Sequence, residues 1–343
     1  MAGARKVTRI PPRATIREVA KLAGVSTSAV SRSFTPGASV SDATRHKVQA
    51  ATRVLGYRPN ALARSLMTKR TELIGLVANN FDNPVFMEIF DLFTRRLQLR
   101  GRRPLLANLS EVGATEAALE MLLQYSVDGV IVASSTLPQQ FVSACVQAHL
   151  PLVHVFGRPS GSKLPIHVVA PDNVQGGGLA GDRLLERGYR RIAFLGGPET
   201  ATSTEDRLRG LNESLSRNAM KPSVVVFAHA YTHDAGVTTM RQVLRNGGID
   251  AVFCGDDNLA MGAIDACREA GLNVPRDIGV IGFNDMTIAA WPAYNLTTIR
   301  QPTAEIITAA VELVLSIVES PVRRPIVRLF DCRAVIRGTL REV

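Results

Sequence analysis

The chain has 343 residues, of which 46% are hydrophobic and 20% charged, a composition typical of a globular protein with two or three domains. No apolar run approaches the roughly 18 residues that a membrane span needs, and the first residues lack the apolar core of a secretory signal, so we expect a cytoplasmic protein with no membrane partner. The net charge of +10 lies at one end, because residues 1–70 hold fourteen Lys and Arg against Glu18 and Asp42, a balance of +12 that leaves the other residues at −2. This asymmetry predicts that the first part of the chain contacts a polyanion.

The chain begins with a basic stretch that has no helical or strand periodicity. Residues 1–13 combine Pro11 and Pro12 with clustered Arg and Lys. We therefore expect a disordered basic tail before the first domain.

Residues 14–58 show the pattern of three short helices. Thr15, Ser26 and Ser41 are each suited to cap a helix N-terminus, and Gly24 and Gly56 are suited to end the first and third helices. Apolar residues fall on one side of each helix: Ile16, Val19, Ala20, Ala23, Ala29, Val30, Val48, Ala51 and Leu55. Two short helices that meet across a tight turn, followed by a third, predict a helix-turn-helix domain.

The second helix is rich in hydroxyl side chains, which compete with the helical backbone for hydrogen bonds. Thr27, Ser28, Ser31 and Arg32 fall on its outer side. Short hydroxyl side chains allow the backbone to approach base edges and phosphates closely. We therefore predict that this face contacts double-stranded DNA. A polar-faced helical bundle without a ligand is the alternative, which the charge asymmetry disfavours.

Residues 59–71 are predicted to form a hinge helix and linker. Pro59 suits a helix start, and Asn60 to Leu66 span only about two turns, too short for a helix that is stable alone in water. We therefore expect this segment to fold only when it is docked, with a plain linker as the alternative.

From residue 72 the chain alternates apolar runs with helix-like segments. The runs are LIGLVANN, DGVIVASS, LPLVHVFG, RRIAFLGG, DAVFCGDD and DIGVIGFND. Runs without polar alternation indicate strands buried on both faces, as in a parallel sheet covered by helices, and this predicts the α/β class. Six or more strand–helix units are more than a single sheet usually contains, so we expect two subdomains with a cleft between them.

Three glycines form the G-x-G-x-x-G pattern of a dinucleotide-binding turn. They are Gly176, Gly178 and Gly181, with Glu199 roughly 20 residues later. A helix that has already started near Asp172 would place these glycines on a close-packed helix face, away from its N-terminus. We therefore favour helix packing over nucleotide binding.

The histidines and cysteines form no metal or catalytic motif. His229 and His233 are four residues apart but lack the HExxH sequence of a zinc helix, and we expect them in a loop. The cysteines are widely separated and are expected to be buried thiols: Cys145, Cys254, Cys267 and Cys332. With neither a G-x-S-x-G nor a Walker A motif present, we predict no cofactor, no metal, no catalytic residue and no enzyme activity.

The head resembles a known family of DNA-binding proteins. The stretches TIREVAKLAGVSTSAVSRSF and VSDATRHKVQAATRVLGYRPNALARSL are similar to the DNA-binding head of the LacI/GalR family of bacterial transcriptional regulators. The resemblance implies that Thr27, Ser28 and Arg32 reach bases, with Arg32 as the best reader of guanine. It further implies DNA contacts from residues that hold phosphates or belong to the hinge, with Leu66 wedged between base pairs in the minor groove: Thr15, Ser26, Ser31, Asn60, Ala63 and Leu66.

The resemblance continues through the body. IGLV, DNVQGGGLAGDRLLERGYRRIAFLGG, DDNLAMGAIDACREAGLNVPRDIGVIGFND and LTTIRQP are similar to the periplasmic-binding-protein-like core of the same family, with two doubly wound parallel-sheet subdomains. By this resemblance the chain crosses between subdomains near Val168, Thr297 and Pro325. Subdomain 1 would comprise about 72–168 and 298–325, and subdomain 2 about 169–297 and 326–343.

Ligands of open parallel sheets bind beyond the carboxyl ends of the strands. Residues near such ends that match family effector positions are Phe86, Ser135, Arg207, Tyr231, Asp256, Asn284 and Trp291. Their chemistry suits a sugar, sugar acid or polyol, although the family often has Asp at the position of Asn284. The alternatives are a surface charge for Arg207, a helix cap for Asp256, with Asp257 the better cap, and a core position for Trp291.

These features predict a ligand-responsive transcriptional regulator that acts as a repressor. It would bind a palindromic operator as a homodimer and respond to a small effector in the cleft of the core. The last residues have no leucine heptad that would join dimers into tetramers. A solute-binding protein explains only the body, and a nucleotide-binding enzyme explains only the glycine motif.

Overall fold

The computed structural model describes residues 14–35, 37–59, 65, 68, 70–79, 81–110, 114–134, 139–158, 166–320 and 324–342. The chain divides into two compact units, residues 1–71 and residues 72–343, which we call the head and the core.

The head contains three helices around a small apolar centre. They are α1 (Ile16–Ala23), α2 (Thr27–Ser33) and α3 (Asp42–Leu55). Val19, Val30 and Val48 are fully buried where the helices meet, so the apolar stripes of the sequence face one another. The predicted helix-turn-helix arrangement is confirmed.

The caps expected in the head are present. The side chains of Ser26 and Ser41 accept hydrogen bonds from the backbone of α2 and α3 respectively, and Thr15 forms a capping box with Glu18 at the start of α1. Gly24 has φ of 66° and ends α1 in a left-handed conformation, which glycine adopts without the steric penalty of a Cβ atom. The turn between α1 and α2 is therefore fixed by local sequence.

The core contains two six-stranded sheets with helices on both faces of each. The first sheet comprises β1 (Leu73–Ala78), β2 (Arg103–Asn108), β3 (Gly129–Ala133), β4 (Leu152–Val155), β5 (His167–Pro171) and β11 (Val327–Phe330). The second comprises β6 (Ile192–Gly196), β7 (Val224–Phe227), β8 (Ala251–Cys254), β9 (Gly279–Asn284), β10 (Thr297–Arg300) and β12 (Arg333–Val335). The strand orders are β2-β1-β3-β4-β5-β11 and β7-β6-β8-β9-β10-β12, and among the described strands β12 alone is antiparallel to its neighbour.

Eight helices of the described chain cover these sheets. The first sheet carries α4 (Val85–Leu99), α5 (Ala114–Gln124), α6 (Gln139–Gln147) and α11 (Thr303–Glu319), and the second carries α7 (Asn173–Glu186), α8 (Thr202–Ser216), α9 (His233–Asn246) and α10 (Asp257–Glu269). All six predicted apolar runs are strands of these sheets. The predicted α/β class with two doubly wound subdomains is confirmed.

The sheets locate the three crossings between subdomains a few residues later than expected. The chain leaves the first sheet after Pro171, returns after Arg300, and passes again to the second sheet after Phe330. Residues 298–300 therefore belong to the second sheet, and 169–171 and 327–330 to the first, contrary to the expected boundaries. The reason is that β10 pairs with β9, and β11 pairs with β5, which the sequence does not reveal.

The glycines of the G-x-G-x-x-G pattern lie inside α7, which Asp172 caps. A Cβ atom on Gly177 would lie 2.1 Å from the carbonyl oxygen of Arg207, and one on Gly210 would lie 1.9 Å from that of Val174. The backbones of α7 and α8 are thus in direct contact. Within the pattern, a Cβ atom on Gly176 would lie 2.7 Å from the Phe283 ring and one on Gly181 would lie 2.6 Å from the Ser214 hydroxyl, whereas one on Gly178 would make only an ordinary contact at 3.7 Å. The helix-packing interpretation is therefore confirmed for Gly176 and Gly181.

The structure also locates the histidines and cysteines that the sequence analysis considered. His233 begins α9 rather than lying in a loop, because Thr232 supplies the cap just before it. All four cysteines are free and buried. Within the described residues no group of three His, Cys, Asp or Glu side chains could hold a metal, and no described helix is long and apolar enough to cross a membrane.

Candidate functional site

The outer face of α2 in the head is hydroxyl-rich and carries one cation. Thr27, Ser28 and Arg32 are exposed, and Ser31 is half-buried beside them. Val30 on the opposite side is fully buried. The structure therefore presents this face to solvent, where it can form hydrogen bonds to another molecule.

Two of the predicted phosphate-binding hydroxyls already have partners in the head. The hydroxyl and the backbone N–H of Thr15 both donate to Glu18 Oε2, at 2.9 and 2.7 Å. The Ser26 hydroxyl accepts from the N–H of Ala29 at 3.2 Å and lies 2.9 Å from the Ser28 hydroxyl. The predicted hinge contacts Asn60, Ala63 and Leu66 lie outside the described residues.

A cavity lies between the two subdomains of the core. Residues from both sheets line it, on or near the carboxyl ends of strands: Asn79, Asn83, Val85, Phe86, Ile89, Ser134, Phe156, Ser203, Arg207, Tyr231, Asp256, Asn284 and Gln301. Its volume is about 60 Å³, which is room for a few water molecules. A larger ligand therefore requires the lining groups to move apart.

Arg207 supplies a buried positive charge at this cavity. Its Nε donates to Asn173 Oδ1 at 2.8 Å, and its Nη1 donates to the carbonyl oxygen of Gly255. The guanidinium carbon lies 3.6 Å from the ring centroid of Phe283, a cation–π contact. These contacts fix the plane of the guanidinium, and the remaining nitrogen, Nη2, is the one suited to a ligand.

Asp256 supplies an acceptor on the same side of the cleft. Its Oδ1 accepts from the N–H of Leu259 at 2.9 Å and its Oδ2 accepts from Asn83 Nδ2 at 2.7 Å. Asp256 therefore caps α10, and the expectation that Asp257 is the better cap is wrong, because Asp257 instead accepts from the N–H of Met286 and the hydroxyl of Thr298. Burial raises the pKa of Asp256 to about 6, against the lowering effect of its hydrogen bonds.

Tyr231 and Asn284 complete the polar lining of the second subdomain. The Tyr231 hydroxyl lies 2.6 Å from the Thr204 hydroxyl and 3.2 Å from that of Ser203. Asn284 ends β9 with φ of 117° and accepts from Gln301 Nε2 at 3.1 Å. Gln301 Oε1 is buried without a hydrogen-bond partner, so a donor group on a ligand could satisfy it.

Most of the predicted effector residues are brought together by the fold. Phe86, Arg207, Tyr231, Asp256 and Asn284 all line the cavity, whereas Ser135 lies outside the described residues. Trp291 does not line it and is 54% exposed, immediately after the short 3₁₀ helix Thr287–Ala290.

Sequence reasoning missed several lining residues. Asn79, Ser134, Phe156 and Gln301 lie just beyond strands β1, β3, β4 and β10, so the strand-end rule would have found them once those strands were assigned. Asn83 lies in the loop between β1 and α4, and no local sequence signal marks it.

The comparisons with known proteins agree with both units. Residues 15–60 match the model of the bacterial regulatory proteins of the lacI family, and residues 182–340 match the periplasmic binding protein-like domain. The HTH-type transcriptional repressor PurR of Escherichia coli O1:K1 / APEC is 32% identical over 339 residues, which cover 96% of this chain and 99% of that protein.

Two solved structures have the same architecture. The transcriptional regulator CelR–cellobiose complex is 30% identical with a TM-score of 0.74, and the match covers 95% of this chain and 100% of that one. The Lac repressor dimer bound to operator and the anti-inducer ONPF is 28% identical with a TM-score of 0.86, with 96% and 99% covered. PurR and the Lac repressor are repressors of transcription and not enzymes. The chain therefore belongs to the lacI family of bacterial regulatory proteins.

Proposed function

We propose that this protein is a ligand-responsive transcriptional repressor that binds a palindromic DNA operator as a homodimer. The observation that carries the proposal is the presence, in one chain, of an exposed hydroxyl-rich helix-turn-helix face and of a polar cavity between two subdomains. The similarity to PurR over almost the whole chain supports it.

In the head, Thr27, Ser28 and Arg32 are the proposed base readers, because their side chains are exposed on α2. Arg32 is suited to bidentate hydrogen bonds with guanine. The remaining proposed DNA contacts hold phosphates or lie in the hinge: Thr15, Ser26, Ser31, Asn60, Ala63 and Leu66. A homodimer presents two such heads, and the symmetry of a palindromic operator matches that of a dimer.

In the core, the proposed effector is a sugar, sugar acid or polyol. Arg207 Nη2, the Asp256 carboxylate and the amides of Asn284 and Gln301 offer both donors and acceptors to hydroxyl groups. Phe86 adds an apolar surface on which a sugar ring can lie. The cellobiose bound in the related CelR structure supports this ligand class.

Effector binding would control DNA binding by a shift of population. Both subdomains line the cavity, so a ligand there changes how they are held together, and the chain crosses between them three times. The ligand must bind one arrangement of the core better than the other, and DNA binding must depend on that arrangement.

Fluorescence anisotropy with a labelled palindromic operator tests the DNA part. Affinity should fall steeply as salt rises, because Lys and Arg displace counterions from the phosphates. R32A should lower the ratio of specific to non-specific affinity. R53A, which removes a charge from an exposed position on α3, should leave that ratio unchanged. Absence of binding at low ionic strength would contradict the proposal.

A thermal-shift screen tests the effector part. A ligand that binds only the folded state raises the melting temperature, and the stabilisation grows with the logarithm of the ligand concentration above its Kd. Sugars, sugar acids and polyols should include at least one compound that stabilises the full-length protein and then changes its operator affinity. A compound that stabilises the protein but leaves operator affinity unchanged would contradict a regulatory role for the site.

A further inference from the structure

Arg158 connects the two subdomains of the core beside the cavity. It follows β4 of the first sheet, and its partners lie on α8 of the second subdomain. Its Nε donates to both carboxylate oxygens of Asp206 at 3.0 Å, and its Nη2 donates to Glu205 Oε2 at 2.6 Å. The backbone N–H of Arg158 also donates to the Thr202 hydroxyl at 3.2 Å. We call these contacts the Arg158 bridge.

The bridge is adjacent to the cavity on both sides of the cleft. Phe156, two residues before Arg158, lines the cavity from the first subdomain. On α8, Ser203 and Arg207 line it from the second, and they alternate along the helix with the bridge residues Thr202 and Asp206. Any separation of the subdomains that opens this side of the cavity must therefore break the bridge.

The Arg158 bridge is shielded from solvent enough to contribute to the stability of the closed cleft. The Asp206 side chain is 10% exposed, and that of Arg158 is 37% exposed. Ion pairs between fully exposed side chains contribute little, but a largely buried carboxylate that loses its partner is left with an unfavourable charge. Opening would leave Asp206 with Arg209, its neighbour on the same helix, at 3.1 Å.

We propose that the Arg158 bridge is a latch that holds the cleft closed and thereby sets how readily a ligand enters and leaves the cavity. The first part of the proposal, that the bridge holds the cleft closed, requires no ligand, because every group of the bridge belongs to the chain. The second part rests on the proposed effector site. Arg158 thus acts as a positioning residue for that site without lining the cavity.

The latch has a quantitative consequence for a ligand. If a ligand enters only the open form, a more stable closed form lowers the fraction of protein that can accept it. Once the ligand is enclosed, the same contacts slow its departure. Loss of the latch should therefore raise both the association and the dissociation rates, which a residue that merely contacts the ligand would not do.

Distances between spin labels test the first part in the full-length protein. Cysteines introduced at exposed Gln140 on α6 and Gln242 on α9 place one label on each subdomain, and all four native cysteines are buried. R158Q and D206N should shift the distance distribution toward separated subdomains, and high salt should shift the parent protein in the same way. The double variant should show no further shift.

R209Q is the matched control. Arg209 contacts the same Asp206 but from the same helix, so R209Q removes an ion pair without removing a link across the cleft, and its distances should equal those of the parent. Distances in R158Q that equal those of the parent at every salt concentration would overturn the proposal.

Stopped-flow binding tests the second part, with cellobiose as the probe. In R158Q both rates should rise, the dissociation rate by about fivefold if the bridge has the strength of a good exposed ion pair. Rates that match the parent would overturn this part. If cellobiose binds neither protein, the same rates are measured with a compound found in the thermal-shift screen, and the label distances still decide whether the latch exists.

Discussion

The side-chain amide of Asn83 donates a hydrogen bond of 2.7 Å to the carboxylate of Asp256, across the cleft of the core. The carbonyl oxygen of the same amide accepts from Asn258 Nδ2 at 2.9 Å and from the N–H of Val85 at 3.1 Å. Asn83 is only 3% exposed, so without it Asp256 Oδ2 and the N–H of Val85 would lose a buried partner, and Asn258 Nδ2 would keep only its 3.3 Å bond to the carbonyl oxygen of Tyr231. One side chain thus joins the two subdomains at the floor of the cavity.

Replacement of Asn83 should destabilise the core. N83A removes the donor to Asp256 Oδ2 and one of the two acceptors of Asn258 Nδ2, and a buried unsatisfied group costs roughly 1–3 kcal/mol. Urea unfolding should show a loss of this size in the free energy of unfolding. N218A removes an exposed amide from the turn that follows α8; the hydrogen bond of this amide to the Ser214 carbonyl oxygen is long at 3.5 Å, so the variant should change stability little. Equal stability of the two variants would contradict a linking role for Asn83.

R207A should abolish the effector response and keep DNA binding. The substitution removes the donor proposed for the ligand and also leaves Asn173 Oδ1 and the Gly255 carbonyl oxygen without their present partner. We therefore also expect a loss of roughly 1–3 kcal/mol in core stability. Operator affinity should be measured with and without the effector found by screening. Arg209 lies two residues further along α8 and does not line the cavity, so R209A should keep the normal response of operator affinity to the effector. An unaltered response in R207A would remove Arg207 from the site.

The carboxyl group of Asp257 should make core stability depend on pH. Burial raises its pKa from 3.8 to about 8, so the folded state holds a proton that the unfolded state releases. The resulting stabilisation is complete below the unfolded pKa and is lost as pH rises toward 8. D257N should show a smaller loss of unfolding free energy between pH 5 and pH 8.

Asparagine is a reasonable mimic of the protonated acid at this position. Its carbonyl oxygen can accept from the N–H of Met286, and the hydroxyl of Thr298 can accept from its amide. The exposed variant E116Q serves as the control and should keep the pH dependence of the parent. A D257N curve parallel to that of the parent would show that Asp257 does not cause the dependence.

The capping box at the start of α1 should stabilise the head. Thr15 contacts Glu18 through its hydroxyl and its N–H, and loss of such a cap costs about 1 kcal/mol. T15A should increase hydrogen exchange of the α1 amides in the full-length protein, and T15S should not. If T15A instead weakened operator binding without faster exchange, Thr15 would act on DNA and not as a cap.

The sequence predicted what depends on local pattern. The caps at Thr15, Ser26 and Ser41 and the buried runs β1 and β9 follow from nearest neighbours and periodicity. The edge strands β2 and β7 were not predicted. Most residues of β2 are exposed or half-buried and its apolar stretch is short, whereas β7 is a short apolar run, Val224–Phe227, that was not assigned as a strand. Contacts between residues far apart in the sequence were not predicted either. Nothing in the sequence near Arg158 indicates that it forms an ion pair with Asp206, which lies on the other subdomain.

The proposed effector residues divide in the same way. Arg207 and Asp256 line the cavity, as expected for residues that follow strands of the second sheet, where ligands of parallel sheets bind. Trp291 does not line it, because its nearness to β9 in sequence does not give the path of the chain after Asn284. Asn83 was missed because its role depends on the approach of two subdomains, which only the structure supplies.

The contact between α7 and α8 predicts opposite effects for two glycines that lie close together. G210A would place a Cβ atom 1.9 Å from the carbonyl oxygen of Val174, and a backbone atom cannot yield without separating the helices. G178A meets only the carbonyl oxygen of Gly210 at 3.7 Å, an ordinary contact. Alanine also favours a helix over glycine by roughly 0.5–1 kcal/mol. Thermal unfolding should therefore show G210A strongly destabilised and G178A as stable as the parent or more so.

If Gly178 instead served a nucleotide phosphate, G178A would keep its stability and lose nucleotide binding, which equilibrium dialysis with NAD on the parent and the variant would detect.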